Sequence, residues 1–102
     1  MYSIEDFRAV NFPEKIIITQ HSRKRFAERK ISISDVCTAI DNGEIIEQYP
    51  DDFPFPSCLI LGRKADERIH IVASINEGTM YIITAYVPNS SKWKDDFKTR
   101  KE

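Results

Sequence analysis

The side chains best suited to bind an anion are concentrated in one stretch, Thr19 to Lys30, which holds five of the fifteen lysines and arginines and one of the two histidines. Its residues favour a helix, and its first residue is of a typical N-cap type. On a helix, His21, Arg25 and Arg29 follow one stripe at four-residue spacing. On a helix, Arg25 and Arg29 are close enough to repel each other unless Glu28 or a phosphate lies between them. The stretch therefore predicts a basic helix that either binds anions or is simply solvated, with its arginine stems packed on the core.

A second set of polar side chains is predicted on one face of a β-hairpin that turns at residues 76–78. With a three-residue loop, His70 lies opposite Thr84, and Arg68 lies opposite Tyr86. A two-residue loop would shift this register, so the pairing depends on the turn. In the three-residue register, all four side chains gather near one end of the sheet.

His70 is the strongest candidate for a catalytic or substrate-positioning group. It interrupts an apolar strand, and its side chain leaves the core face that Ile69 and Ile71 enter. An imidazole buried without a partner costs about 1–3 kcal/mol, so it needs water, a neighbour or a substrate. Its unperturbed pKa of about 6.5 suits proton transfer. The alternative is a structural histidine with satisfied nitrogens, beside a Tyr86 that packs at the end of the sheet.

Length and composition exclude several classes of protein. The 102 residues predict a single domain over 1–102, with 41% hydrophobic and 30% charged residues, as in a folded globule. The net charge of −1 gives no overall field that attracts nucleic acid, so any anion binding depends on local clusters. Without a signal-peptide pattern or an apolar run long enough to cross a membrane, we expect a cytoplasmic protein.

Cysteine usage and motifs indicate no cofactor. Cys37 and Cys58 are isolated and lack metal-ligand spacing, which predicts a reducing compartment, although an even count allows one disulfide. There is no Gly-rich phosphate loop, paired Cys or His motif, or serine nucleophile elbow. We therefore expect neither a bound metal nor a cofactor.

The predicted elements form a layer of helices and a sheet. Capping boxes predict helices after Ser3 and after Ser32. Lys15 to Thr19 is predicted as a short strand before the basic helix, with a helical approach as the alternative. The spacing of Trp93 and Phe97 predicts a terminal helix. Further strands are predicted at residues 44–49, 57–62, 68–75 and 79–87.

The apolar face of the predicted hairpin should receive the helices. Its members are Ile69, Ile71, Ala73, Ile75, Tyr81, Ile83 and Ala85. We expect them to pack against Phe26, Val36 and Ile40. The sequence thus predicts an α+β fold, with helices on one face of a small antiparallel sheet.

Several motifs, taken in order and spacing, resemble one family. They are His21-x-x-x-Arg25-x-x-x-Arg29-x-Ile31, Asp35, Gly43 to Glu47, Pro56 to Gly62, Ile69 to Val72, Thr84 to Pro88, and Trp93. The set is similar to the domain-of-unknown-function family DUF4258 over nearly all of the chain after residue 14. That family in turn resembles the RelE and BrnT group of small bacterial toxins, metal-independent ribonucleases with a helix layer on a curved antiparallel sheet.

The resemblance implies the toxin of a bacterial toxin–antitoxin pair, acting as a metal-independent endoribonuclease on RNA, including ribosome-associated mRNA. It also implies a cognate antitoxin, of zinc-finger type. Such cleavage needs a base for the 2′-hydroxyl, an acid for the leaving 5′-oxygen and cations for the phosphorane charge. The candidate catalytic residues are His70, His21 and Tyr86, and the candidate substrate-binding residues are Arg25, Arg29, Arg68 and Thr84.

Two functions without catalysis also fit these residues. In one, the polar end of the sheet holds a peptide or an anionic ligand without turnover. In the other, the basic helix docks an acidic, antitoxin-like protein segment. Tight binding of a neighbouring gene's product without RNA cleavage would favour the second of them.

Overall fold

The computed structural model describes residues 1–101. They form three α-helices and a five-stranded sheet, and the first strand comes before the two larger helices in the chain. The elements are α1 Ile4–Arg8, a short 3-10 helix Pro13–Lys15, β1 Ile16–Ile18, α2 Gln20–Arg29, α3 Ile33–Asp41, β2 Glu44–Tyr49, β3 Ser57–Lys64, β4 Glu67–Asn76 and β5 Thr79–Tyr86. Within residues 1–101, no helix has the length and apolar character needed to cross a membrane.

The helices begin where the sequence predicts. At the start of α3, the Asp35 N–H donates to Ser32 Oγ at 3.1 Å and the Ser32 N–H donates to the Asp35 carboxylate at 2.9 Å. This reciprocal pair satisfies two amides that the first helical turn leaves without partners. At the start of α2, Thr19 is the N-cap, but its hydroxyl donates to Ser22 Oγ at 2.9 Å.

The strands lie in the order β1-β5-β4-β3-β2. β2 to β5 pair in antiparallel fashion, whereas β1 lies parallel to β5 at one edge. Between β1 and β5 the chain forms α2, α3 and the antiparallel strands β2 to β4. The predicted α+β fold is confirmed, with β1 as an added parallel edge strand.

The turn between β4 and β5 has two residues, because Asn76 pairs directly with Thr79. Glu77 and Gly78 have φ values of 50° and 76°, in the left-handed region that such tight hairpin turns require. The prediction of a three-residue loop was therefore wrong, and the register of β4 and β5 differs from the predicted one by one residue.

A bulge at Ile83 shifts the register a second time, since Ile82 pairs with Ala73 and Thr84 pairs with Val72. The predicted pairing of His70 with Thr84 was therefore wrong. His70 lies directly opposite Tyr86 instead.

The core lies between the helices and one face of the sheet. Its members are Phe7, Ile16, Phe26, Ile31, Val36, Ala39, Ile40, Cys58, Ile60, Ile69, Ile71, Ala73, Met80, Ile82 and Ala85. Because the turn has two residues, the side chains of β5 next to it point to the opposite face from the one predicted. Met80 and Ile82 therefore lie in the core, where Tyr81 and Ile83 were expected. The bulge exchanges the faces again, so Ala85 lies in the core as predicted.

Helix α3 lies directly on β3 at Gly62. A Cβ atom at this position would come within 2.7 Å of the Ala39 Cα, which belongs to the helix backbone. Only glycine permits this approach, and it allows Val36 and Ile40 to reach the sheet.

The predicted terminal helix was wrong. Residues 88–101, called the C-terminal segment below, form turns and one isolated bridge between Trp93 and Arg100. The Asp96 carboxylate accepts the backbone N–H groups of Lys98 and Thr99 at 2.9 and 3.0 Å, and Phe97 has a φ of 56°. Such side-chain bonds compete with helical ones, and they turn the chain across the sheet face opposite the helices, called the back face below.

Candidate functional site

A buried histidine lies on the back face, beneath the C-terminal segment. His70 has no exposed surface. Its Nε2 lies 2.7 Å from the carbonyl oxygen of Phe97, and its Nδ1 lies 3.2 Å from the Tyr86 hydroxyl. A carbonyl only accepts, so Nε2 carries a proton, and in the neutral imidazole Nδ1 then accepts from Tyr86. Both nitrogens of His70 therefore have partners.

Aromatic rings enclose this imidazole. The Trp93 ring meets it edge to face at 4.5 Å between centroids, and the Tyr86 ring does so at 5.3 Å. Burial lowers the pKa of His70, and the Phe97 carbonyl and the Glu47 carboxylate only partly oppose this shift. The histidine is thus uncharged at neutral pH, and a substrate can touch it only if the C-terminal segment moves.

An ion pair fastens the C-terminal segment to β2. Arg100 donates from Nε and Nη2 to the two Glu47 carboxylate oxygens, each at 3.0 Å, and its guanidinium lies 4.5 Å from the centre of the Trp93 ring. The hydrogen bond from Arg100 lowers the pKa of Glu47. Burial and the bond to Glu47 raise the pKa of Tyr49 to about 12. Two parallel charge-assisted bonds hold this part of the segment in a fixed orientation.

Tyr86 links the buried histidine to the surface. It is half-buried and borders a cavity of about 300 Å³ whose lining includes Asn89, Lys92 and Arg100. Burial raises the pKa of Tyr86, so its hydroxyl stays protonated at neutral pH. Of the His70–Tyr86 pair, Tyr86 is the member that a ligand in this cavity could reach.

Arg29 brings a positive charge from α2 to the same region. Its Nη1 donates to the carbonyl oxygen of Ala85 at 2.8 Å and lies 3.4 Å from Thr84 Oγ1. The charge of Arg29 counteracts part of the upward pKa shift of Tyr86. Two predicted substrate-binding residues, Arg29 and Thr84, therefore lie beside Tyr86.

The other predicted residues lie elsewhere. His21 and Arg25 are exposed on α2, and among residues 1–101 neither forms a hydrogen bond or ion pair with the His70–Tyr86 pair. The predicted pairing of Arg68 with Tyr86 was wrong, because Tyr86 pairs with His70; on its β3 side, Arg68 lies opposite Arg63. Its guanidinium lies over the ring of Phe97, 5.9 Å from the centroid.

The ion pair at the site was not predicted from the sequence. Glu47 and Arg100 are 53 residues apart, and no spacing rule connects them. Trp93, which was used to predict a terminal helix, packs against His70. Among residues 1–101, no three His, Cys, Asp or Glu side chains come together in an arrangement that could hold a metal ion.

These features define a small α+β protein in which helices cover one face of the sheet and a His–Tyr pair lies on the other. The chain belongs to the family described as "Domain of unknown function (DUF4258)", whose sequence model matches residues 18–87. The predicted family is thus confirmed. The match includes Arg29, His70 and Tyr86 and ends before the C-terminal segment. Searches of curated proteins and of solved structures find no match to this chain.

Proposed function

We propose that this protein is the toxin of a bacterial toxin–antitoxin pair and that it cleaves RNA without a metal ion. The observation that carries the proposal is the hydrogen bond between the half-buried Tyr86 hydroxyl and the neutral His70, with Arg29 close by. The resemblance of the DUF4258 family to the RelE and BrnT toxins supports this class of reaction.

In the proposed reaction, the 2′-oxygen of the RNA attacks the adjacent phosphorus. The bond from the 2′-oxygen to phosphorus forms, the bond from phosphorus to the 5′-oxygen breaks, the 2′-hydroxyl proton passes to solvent, and a proton reaches the 5′-oxygen. Tyr86 is suited to supply that proton, because its hydroxyl is protonated at neutral pH; in this step the O–H turns from His70 Nδ1 to the 5′-oxygen, and solvent returns a proton to Tyr86 afterwards.

Arg29 supplies charge for the transition state. Only its Nη1 is engaged in hydrogen bonds within residues 1–101, so Nε and Nη2 can face phosphorane oxygens. His70 acts as a positioning residue, because it contacts the substrate only through the hydroxyl of Tyr86 while the C-terminal segment covers it.

The test is RNA cleavage by purified protein in the presence of a chelator. Tyr86→Phe removes the hydroxyl and should lower the cleavage rate by roughly 10²–10⁴-fold. Tyr81→Phe is the matched control, because Tyr81 is also half-buried on β5 but packs near Phe55. Induced expression in a heterologous bacterium should arrest growth and produce new RNA ends. A folded Tyr86→Phe variant that cleaves at the parent rate, or cleavage abolished by the chelator, would contradict the proposal.

One observation favours a second function, partner or ligand binding without turnover. His70 is fully buried with both nitrogens satisfied, as in a structural histidine. If this function is correct, the parent will not cleave RNA, and it will bind the product of a neighbouring gene tightly. Tyr86→Phe should leave that complex intact.

A further inference from the structure

Two arginines face each other at the end of the β3–β4 hairpin. Arg63 and Arg68 are direct partners across the ladder, so both side chains project from the back face. Like charges in directly opposed positions destabilise a sheet. Neither guanidinium forms an ion pair with a carboxylate of residues 1–101. The pair therefore has two adjacent positive charges with no anion between them.

The two arginines line a cleft of about 360 Å³ between the sheet and the C-terminal segment. Glu44 and Asp96 also line it, but both carboxylates have partners. Lys98 Nζ lies 2.6 Å from Glu44 Oε1, and Asp96 accepts two backbone N–H groups of its own turn. Lys98 offsets Glu44, but neutral backbone N–H groups do not cancel the charge of Asp96. The lining therefore has three positive and two negative side chains, and its net charge of +1 comes from the arginine pair.

The cleft adjoins the His70–Tyr86 pair on the same face. Arg68 precedes His70 by two residues on β4, a distance of about 7 Å along the strand. Phe97 connects the two sites, because its ring lies under the Arg68 guanidinium and its carbonyl oxygen accepts from His70. An extended chain that passes over the C-terminal segment could contact the arginine pair and Tyr86 at once, while His70 stays covered.

We propose that Arg63 and Arg68 bind a phosphate group of the RNA next to the one cleaved at Tyr86. This inference rests on the function proposed above. Guanidinium groups are planar and meet phosphate oxygens in pairs, so one phosphate can accept from both side chains. A bound phosphate also removes the repulsion between them. Arg63 was not a candidate from the sequence, because it lies just after the strand predicted at residues 57–62 and outside the basic stretch.

The test measures binding of a 2′-O-methyl RNA strand, which cannot be cleaved by attack of the 2′-oxygen. Fluorescence anisotropy is recorded over a range of salt concentrations for the parent, Arg63→Gln and Arg68→Gln. Each variant should bind about tenfold more weakly, as expected for loss of a charge-assisted hydrogen bond. The slope of log affinity against log salt should fall by about 0.7 for the phosphate lost.

Two further variants separate the effect of the planar guanidinium geometry from the effect of positive charge. Arg23→Gln removes a charge from α2, on the helix side of the sheet, and should bind RNA like the parent. Arg63→Lys keeps the charge but removes the planar fork, so its affinity should lie between those of the parent and Arg63→Gln. Because Arg63 is exposed, its variants should fold, which circular dichroism can verify.

The outcomes distinguish the site from the function. If the parent binds RNA and both glutamine variants match its affinity and salt slope, the phosphate site is wrong and the function stands. If the parent binds no RNA, the proposed function fails, and an NMR titration with inorganic phosphate tests the site. Shifts of the Arg63 and Arg68 Nε–H signals would support an anion site, and their absence would overturn it.

Discussion

Replacing His70 with glutamine should remove a pH dependence of stability in the window from about pH 7 down to the folded-state pKa of His70. Burial lowers the pKa of His70 in the folded protein, whereas the unfolded chain has an ordinary histidine pKa of about 6.5. In this window, the unfolded chain therefore binds a proton that the folded protein does not. The stabilisation is complete above about pH 6.5 and is lost as the pH falls to the folded-state pKa.

The magnitude follows from the number of protons. One proton taken up on unfolding changes the free energy of unfolding by at most about 1.4 kcal/mol per pH unit. Three carboxyl groups also have shifted pKa values, Asp35, Glu47 and Asp96. In each, hydrogen bonds outweigh burial and lower the pKa below its ordinary value, which is 3.8 for an aspartate and 4.5 for a glutamate. These carboxyl groups therefore change stability at a lower pH than His70 does. The slope in the window can thus be assigned to His70.

Denaturant unfolding at several pH values is the assay. Trp93 is the single tryptophan and lies 4.5 Å from the His70 ring, so its fluorescence reports on this site. The glutamine amide can still donate to the Phe97 carbonyl, which should preserve the fold. His21→Gln is the control, because His21 is exposed and should leave the parent slope unchanged. An equal slope in the parent and in His70→Gln would refute the assignment.

Three further predictions concern packing, capping and thiol reactivity. Gly62→Ala should lower the free energy of unfolding by roughly 1–3 kcal/mol, because its Cβ would collide with the α3 backbone; denaturant titration measures this. Ser32→Ala should lower it by about 1 kcal/mol, because the Asp35 N–H loses its acceptor, and the thermal midpoint should fall. Cys58 should resist thiol reagents until the protein unfolds, because it is fully buried and burial raises its pKa to about 12.

Each of these predictions has a clear contrary result. A Gly62→Ala variant as stable as the parent would mean that α3 can move away from β3. Ser34→Ala is the control for the cap, since Ser34 is exposed and lies just inside the helix; equal stability of the two serine variants would contradict the capping argument. Native-state labelling of Cys58 as fast as that of the half-buried Cys37 would contradict its burial.

Local signals predicted the fold class well. The capping boxes at Ser3 and Ser32 fixed the starts of two helices, because a cap depends on residues only three positions apart. The strands were found for a similar reason, since runs of β-branched residues between turns are local features. The helix layer and the antiparallel centre of the sheet followed from the order of these elements.

The register and the site could not be predicted in the same way. A single residue in the turn and one at the Ile83 bulge decide which side of β5 faces the core, and neither interrupts the apolar pattern. The partners of His70 were missed because the C-terminal segment supplies Phe97 and Trp93. Their four-residue spacing resembled a helix, but the Asp96 side chain bonds to the backbone and stops one from forming.

The bulge makes one residue of β5 unnecessary for the ladder. β4 pairs with Ile82 and then with Thr84, so a chain lacking Ile83 could keep all these pairs and a regular alternation of faces. What the extra residue provides is an attachment point, because its carbonyl oxygen accepts the hydroxyl of Ser22 in the first turn of α2. Deleting it should preserve the sheet while releasing the start of the helix whose far end brings Arg29 to the back of the molecule.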